Sequence, residues 1–265
     1  MSRSIEDMVD VLWRARSAFR QVAPLRESHG LARLEDAQAV QDGVTARGLA
    51  AGRRLVGRKI GLTSAAVQAQ MGVDQPDYGV LWADYAFSSG DEVAISRFMQ
   101  PRAEGEIAFV MERGIEDPAA SMTDLIGAIA YALPAIEIVD SAIADWNIGL
   151  VDTIADNASG GGFALGSSPR ALAGLDLRLA GMMMTRNGRT VSTGLGAACM
   201  GHPLNATLWL VRKMASLGRP VAAGDVILSG ALGPVVPVSG GDVFSLEIMG
   251  FEPLQIAFDT GDQAQ

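Results

Sequence analysis

Cysteine and histidine are almost missing from this chain: among 265 residues there is one cysteine, Cys199, and two histidines, His29 and His202. A single cysteine excludes an intrachain disulfide framework and any cysteine-cluster metal site. Two histidines cannot build a histidine-rich centre, so a metal, if bound, must be held mostly by oxygen. Positive charge is also short. Lys+Arg total 21 against 30 Asp+Glu, a net charge of −9, which leaves no cationic surplus to displace counterions from a nucleic acid. Long apolar runs are absent too. No window nears eighteen uninterrupted apolar residues, and the start MSRSIEDMVDVLWRARSAF lacks the apolar core of a signal peptide. A cytoplasmic protein with no nucleic-acid or membrane partner is the expectation. There is no Gly-x-Ser-x-Gly elbow and no Walker loop.

What is present is a globular composition. About 49% of residues are apolar and 19% charged, enough for a sizeable core in one large domain or one domain with an appendage. Ser4 and Asp7 make a capping-box start for a helix carrying Ile5, Met8, Val9, Leu12 and Phe19 on one face and closed by Pro24. A second helix is predicted over Leu34–Ala51, with Ala37, Val40, Val44 and Leu49 inward. Together they form an N-terminal helical cap over residues 1–52. From residue 53 to 265 the texture changes to strands and turns. Strands are expected at Leu55–Ile60, Glu104–Met111 and Ala135–Val139, and helices at Ser64–Met71, Thr123–Leu133 and Pro203–Leu217. The stretch Gly72–Asp91 reads as loop. Asn187-Gly188 joins the two arms of a hairpin, and two Gly-Asp turns, at Gly224 and Gly241, each launch a strand. Regular alternation of strand and helix is missing, so the predicted class is α+β, a mixed or rolled sheet with flanking helices.

The chemistry concentrates in acidic residues in apolar company. Glu104 and Glu106 stand two apart at the head of a strand and so face the same side, with Ile107 and Phe109 on the other. Glu137 sits alone inside Ala135–Val139. Any one of them could be a solvent-facing strand residue or a partner of Arg58 or Arg102. Three buried together would repel unless a cation joined them. Three carboxylates without histidine suit a hard divalent ion, Mg²⁺ or Mn²⁺. Lys59, in an otherwise apolar strand, is a candidate proton carrier or a plain edge lysine. Asp77, in the turn-rich segment Asp74–Gly79, is a candidate acid/base group or a simple turn residue. Asp156–Gly162 permits close backbone approach to a ligand, with Asn157 and Ser159 as polar contacts, or is only a tight turn. His202 flanks a helix, His29 lies in a polar loop, and Cys199 reads as a packing residue.

In order, the segments GRKIGLT (57–63), DQPDYG (74–79), QPRAEGEIA (100–108), DTIADNAS (152–159), GHPLN (201–205) and LSGALG (228–233) resemble the hydratase/decarboxylase family of the fumarylacetoacetate hydrolase superfamily. The resemblance covers residues 5–258. It implies a mixed β-roll of the fumarylacetoacetate hydrolase C-terminal-domain type beneath the helical cap. It also implies a Mg²⁺ or Mn²⁺ site at Glu104, Glu106 and Glu137, and a catalytic pair at Lys59 and Asp77. Substrate contacts fall on Tyr78, Gly79, Asn157 and Ser159. A homo-oligomer built from pentamers, a pentamer or decamer, is expected, with a pathway aldolase or decarboxylase as protein neighbour. The implied reaction is hydration of 2-hydroxypenta-2,4-dienoate in meta-cleavage degradation of aromatic compounds. Decarboxylation of a 4-oxalocrotonate-type acid and hydration of a seven-carbon dienoate use the same metal logic. Carbon–carbon bond hydrolysis calls for a His-Glu pair, for which His29 near Glu27 is a poor match. A non-catalytic partner subunit is the reading from a different class. The sequence departs from the family at Ala103 and Gly105, and Gly105 points away from the metal side, so altered packing there is expected with the ligands kept.

Overall fold

The computed structural model describes residues 4–64, 68–69 and 74–261. Helix α1 (Ile5–Ala18) starts from the expected capping box, with the Ser4 hydroxyl accepting from the Asp7 N–H, and buries Met8, Val9, Leu12 and Ala15 at helical spacing. It stops at Phe19, which is left-handed and exposed, five residues before the predicted stop at Pro24. A single turn, α2 (Leu25–Ser28), leads to α3 (Leu34–Ala50). On α3 the buried row runs through Ala37, Val40, Gln41 and Gly48, while Leu49, expected inside, faces solvent. The row passes through Gly48 because the Trp82 ring occupies the place of a side chain there: a Cβ would lie 2.8 Å from it. α1 and α3 share a small core with Leu25, Leu31, Ala142, Ile143 and Ala155.

The remaining chain builds two sheets. The larger holds β1 (Leu55–Gly61), β2 (Asp77–Trp82), β3 (Ala86–Ser88), β5 (Arg102–Met111), β6 (Ile129–Val139), β7 (Gly160–Leu165) and β10 (Val226–Leu228), in the order β2-β1-β10-β5-β6-β7-β3, with β11 (Val236–Pro237) added to β5. It is mixed: β1 runs parallel to β10 and β3 parallel to β7, and the other pairs are antiparallel. The second sheet orders β4 (Glu92–Val93), β13 (Leu254–Phe258), β12 (Val243–Ile248), β8 (Gly181–Arg186) and β9 (Arg189–Leu195). The main core lies between the sheets and takes in the helix Pro203–Ser216. Gly105 sits at the closest approach: Leu246 Cδ1 and Met182 Sδ lie 2.7 and 3.2 Å from where its Cβ would stand, on the side away from the carboxylates. The β8–β9 turn has positive φ at Asn187 (52°) and Gly188 (75°), as its sequence requires.

Two sequence expectations are corrected. The supposed loop Gly72–Asp91 contains β2, all six residues of which are buried, and β3. A strand covered on both faces shows no alternation to read. The supposed helix Thr123–Leu133 is a short helix, Met122–Ile126, followed by β6, which runs straight through Pro134. Sheet pairing overrides the helical preference of the Ala- and Leu-rich stretch. Pro134 is tolerated because its missing N–H faces β7, which has ended at Leu165, while its carbonyl accepts from Gly166 at 2.9 Å. The helix expected over Ser64–Met71 falls largely on residues outside those described.

Candidate active site

Strand alternation and register together assemble the acidic cluster. Glu104 and Glu106 share a face of β5, and antiparallel β6 sets Glu137 directly opposite Glu104. One carboxylate oxygen from each of the three lies within 4.8 Å of the others. The Gly230 N–H, just past β10, donates to Glu106 Oε2 at 2.8 Å. Lys59 of β1 reaches in, its Nζ 3.1 Å from Glu137 Oε1, both side chains buried. Among the described residues, Glu106 Oε1 and Glu137 Oε2 receive no hydrogen bond. Buried carboxylate oxygens without donors are costly, and the mutual approach of three acids adds repulsion. A hard divalent ion relieves both, so the donor set fits such an ion.

Asp77, at the head of β2, pairs in register with Gly61 at the tail of β1. Its Oδ1 takes up the space a Cβ on Gly61 would fill, and Lys59 Nζ lies 3.4 Å from that same point. The glycine thus lets the carboxylate and the ammonium converge. The charges respond to burial and to one another. Burial would lower the Lys59 pKa, but Glu137, Asp77, Glu104 and Glu106 outweigh it and hold the ammonium protonated above its usual range. Burial raises the Asp77 carboxyl, with Lys59 opposing. Burial and then Glu137 push Glu104 up to about 7 and Glu106 well above the usual carboxylate range.

The surrounding cavity, about 920 Å³, is lined by Lys59, Asp77, Arg102, Glu104 and Ser159 together with apolar groups such as Leu62, Leu195 and Val235. Its wall is strained. Asn157, Ala158 and Ser159 are consecutively left-handed (φ 60°, 50° and 54°), and Leu62 (56°) and Trp146 (54°) share that conformation. Each such residue costs roughly 1–2 kcal/mol, and strain of this kind gathers where a site is held in shape. The buried Ser159 hydroxyl lies 3.0 Å from that of Thr153.

Of the residues singled out in the sequence, the fold brings together Glu104, Glu106, Glu137, Lys59, Asp77 and Ser159. It does not bring Tyr78, Gly79 and Asn157 to this cavity as substrate contacts. Tyr78 lines a neighbouring cavity with Gln38, Asp42 and Arg219, which Asp77 also borders. The Asn157 amide is spent on Val80, accepting from its N–H at 2.7 Å and donating to its carbonyl at 3.0 Å. Gly79 backs onto the Asn157 main chain. His202 caps the helix Pro203–Ser216 through Nδ1, which accepts from Leu204 N–H at 3.1 Å. Cys199 is buried, its thiol directed at the Ser229 carbonyl and pushed up to about 12 by burial and Glu106. Sequence reading missed Arg102 as a site residue, although Arg102-x-Glu104-x-Glu106 alternates on one strand. It also missed Arg16, which leaves α1 to pair with the buried Asp140 and Asp156 behind the strained wall.

A pH-dependent response to metal follows. A carboxyl whose folded pKa exceeds its unfolded value binds protons more tightly when folded, so metal-free stability falls as pH rises between the two. For Glu104 that window runs from 4.5 to about 7, and Glu106 and Asp77 act in the same direction. The raised Lys59 titrates far above it. A divalent ion must displace those protons, so the rise in melting temperature on adding Mg²⁺ is expected to be larger at pH 8 than at pH 5.5. Differential scanning fluorimetry measures it, and an equal rise at both pH values would contradict the assignment.

The family model described as fumarylacetoacetate (FAA) hydrolase C-terminal matches residues 54–258. Over 96% of this chain and 95% of its own length, the "TodF product hydratase" of Pseudomonas putida (strain F1) is 53% identical. The 2-keto-4-pentenoate hydratase of Paraburkholderia xenovorans (strain LB400) is 48% identical over the same shares. Among solved structures, 4-oxalocrotonate decarboxylase from Pseudomonas putida G7, complexed with magnesium and adipate, superimposes with a TM-score of 0.92 at 32% identity, covering 96% of this chain and 97% of that one.

Proposed function

This chain belongs to the fumarylacetoacetate hydrolase family, and on that premise we propose that it is a divalent-metal-dependent hydratase for 2-hydroxypenta-2,4-dienoate. The product is 4-hydroxy-2-oxopentanoate. The observation that carries the reading is the convergence of Glu104, Glu106 and Glu137 within 4.8 Å of one another beside Lys59. Relatives near half identity over almost the whole length bear hydratase names, which supports it. In this reading residues 1–52 cap a catalytic body formed by 53–265.

Glu104, Glu106 and Glu137 would hold the ion, Mg²⁺ or Mn²⁺. When bound, it supplies Lewis acidity at the 2-oxygen of a chelating 2-oxo acid. The chain's own residues manage the protons. Loss of the 2-hydroxyl proton with protonation at C5 gives the conjugated 2-oxo acid, water adds at C4 and gives up a proton, and C3 takes one. Lys59, kept charged by its acidic neighbours, is the proton donor facing the cavity. Asp77, raised by burial, accepts a proton from water and positions it. The apolar lining and the strained Asn157–Ser159 turn limit and shape the space around the reacting carbons.

Decarboxylation of a 2-oxo-dioic acid is the second reading, favoured by the close superposition on the decarboxylase. Purified protein assayed with 2-hydroxypenta-2,4-dienoate and 4-oxalocrotonate side by side, with and without Mg²⁺ or Mn²⁺, separates the two. Metal-dependent loss of dienoate absorbance without CO₂ release is expected. CO₂ release from 4-oxalocrotonate with no dienoate turnover would replace the hydratase reading by the decarboxylase one.

A further inference from the structure

The acidic cluster forms a close ion pair with Lys59, whereas the cavity's other cation, Arg102, is held only by longer-range attraction to Glu104. Arg102 stands two residues before Glu104 and four before Glu106 on β5, so all three share one face. Its guanidinium carbon lies 4.1 Å from the ring centroid of Trp146. Trp146 is itself fixed: its indole N–H donates to the Gln100 carbonyl at 3.0 Å, and its backbone is left-handed. Among the described residues no carboxylate forms an ion pair with Arg102, and Glu104, the acid next along the same face, belongs to the metal cluster. Among the described residues that line the cavity, Lys59 and Arg102 are the only cations.

We infer that Arg102, held on the Trp146 ring, is the receptor for the substrate carboxylate, and that a lining with no third cation selects monocarboxylic over dicarboxylic 2-oxo acids. The nature of the substrate rests on the hydratase reading; the anion recognition does not. A guanidinium stacked on an aromatic face keeps its in-plane N–H groups free, and their fork matches a carboxylate. Stacking also fixes the long side chain before the ligand arrives, which lowers the entropy lost on binding. A second carboxylate would lose its water without a further cation in the lining to replace it. The 32%-identical decarboxylase, by contrast, is complexed with adipate, a dicarboxylate.

The test is calorimetric titration of the full-length Mg²⁺-loaded protein with 2-oxopentanoate, 2-oxopentanamide and 2-oxohexanedioate. In Arg102→Gln the preference for carboxylate over amide is expected to fall about 10- to 100-fold, as for loss of a charge-assisted hydrogen bond. The affinity for Mg²⁺ alone stays unchanged. Arg102→Lys keeps part of the preference. Trp146→Phe keeps most of it and Trp146→Ala loses much, because the ring only positions the arginine. Wild-type protein binds the monoacid at least tenfold more tightly than the diacid, a difference set by one uncompensated charge. An unchanged preference in Arg102→Gln, no measurable binding of 2-oxopentanoate, or diacid binding as tight as monoacid binding would overturn the inference. A protein that shows these preferences yet hydrates no dienoate would retain the Arg102 assignment and lose the hydratase reading.

Discussion

Lys59→Ala is expected to lower hydration about 10²- to 10⁴-fold, the usual contribution of a positioned acid or base. The same substitution should leave the metal ligands intact. Among the described residues Lys59 makes its close ion pair with Glu137, at 3.1 Å, and removing a cation from among four acids would not weaken their attraction for Mg²⁺. Stability in the absence of metal should move the other way. Glu104, Glu106, Glu137 and Asp77 would lose the one ammonium that offsets their burial. Removing one partner from a buried ionic group costs about 3–5 kcal/mol. The variant should therefore depend on Mg²⁺ for stability far more than the wild type does. Titration calorimetry with Mg²⁺, thermal melts with and without it, and turnover of the dienoate read the three effects separately. Near-normal hydration by Lys59→Ala would remove Lys59 from the chemistry. Loss of metal binding would recast it as a structural support of the site.

Arg16→Ala is expected to cost a similar amount, about 3–5 kcal/mol, through a different part of the molecule. Arg16 leaves α1 and donates through Nε to Asp156 Oδ1 at 2.9 Å and through a terminal nitrogen to the Asp140 carbonyl at 2.8 Å. Asp140 and Asp156 are buried, and their remaining oxygens accept from the N–H groups of Met99, Gln100 and Ala142. Without the guanidinium, two buried carboxylates face each other uncompensated. For a chain of this size the melting temperature should fall by roughly 10 °C. Asp156 directly precedes the left-handed Asn157–Ser159 turn, so activity should fall together with stability. Adding Asp156→Asn to Arg16→Ala should cost less than the sum of the two single changes, because the pair is coupled. A fall of less than about 2 °C for Arg16→Ala, or strict additivity, would show that this link does not hold the wall in place.

The site was legible to the extent that it was written in local spacing. Glu104 and Glu106 two apart, Glu137 alone in an apolar strand, and Lys59 in another needed only the period-two rule and the expense of burying charge. Asp77 and Ser159 stood out more weakly, in segments that read equally well as plain turns, and the resemblance to a known family gave them roles. Turn geometry spends the Asn157 amide on Val80, and Tyr78 lines a neighbouring cavity that Asp77 also borders, neither of which local spacing shows. Arg102 was in plain view, but its importance depends on Trp146, forty-four positions away and in contact only after folding. The missed strands have one cause. β2 and β6 are buried on both faces, so their sequences carry no alternating pattern, and β6 is rich in residues that also suit a helix.

By itself the sequence determined what the acidic cluster can offer a cation, because a chain so poor in histidine and cysteine has almost only oxygen to give. It also determined the capping-box start of α1, the Asn187-Gly188 turn and the helix after His202, each set by contacts within a few residues. Tertiary structure decided what depends on register and on distant partners. The β5–β6 pairing sets Glu137 opposite Glu104, and the missing side chain of Gly61 lets Asp77 and Lys59 meet. Packing from α1 places Arg16 behind the wall of the site. A local pattern fixes which way a side chain faces along its own strand; only the alignment of separate strands fixes which side chain it meets.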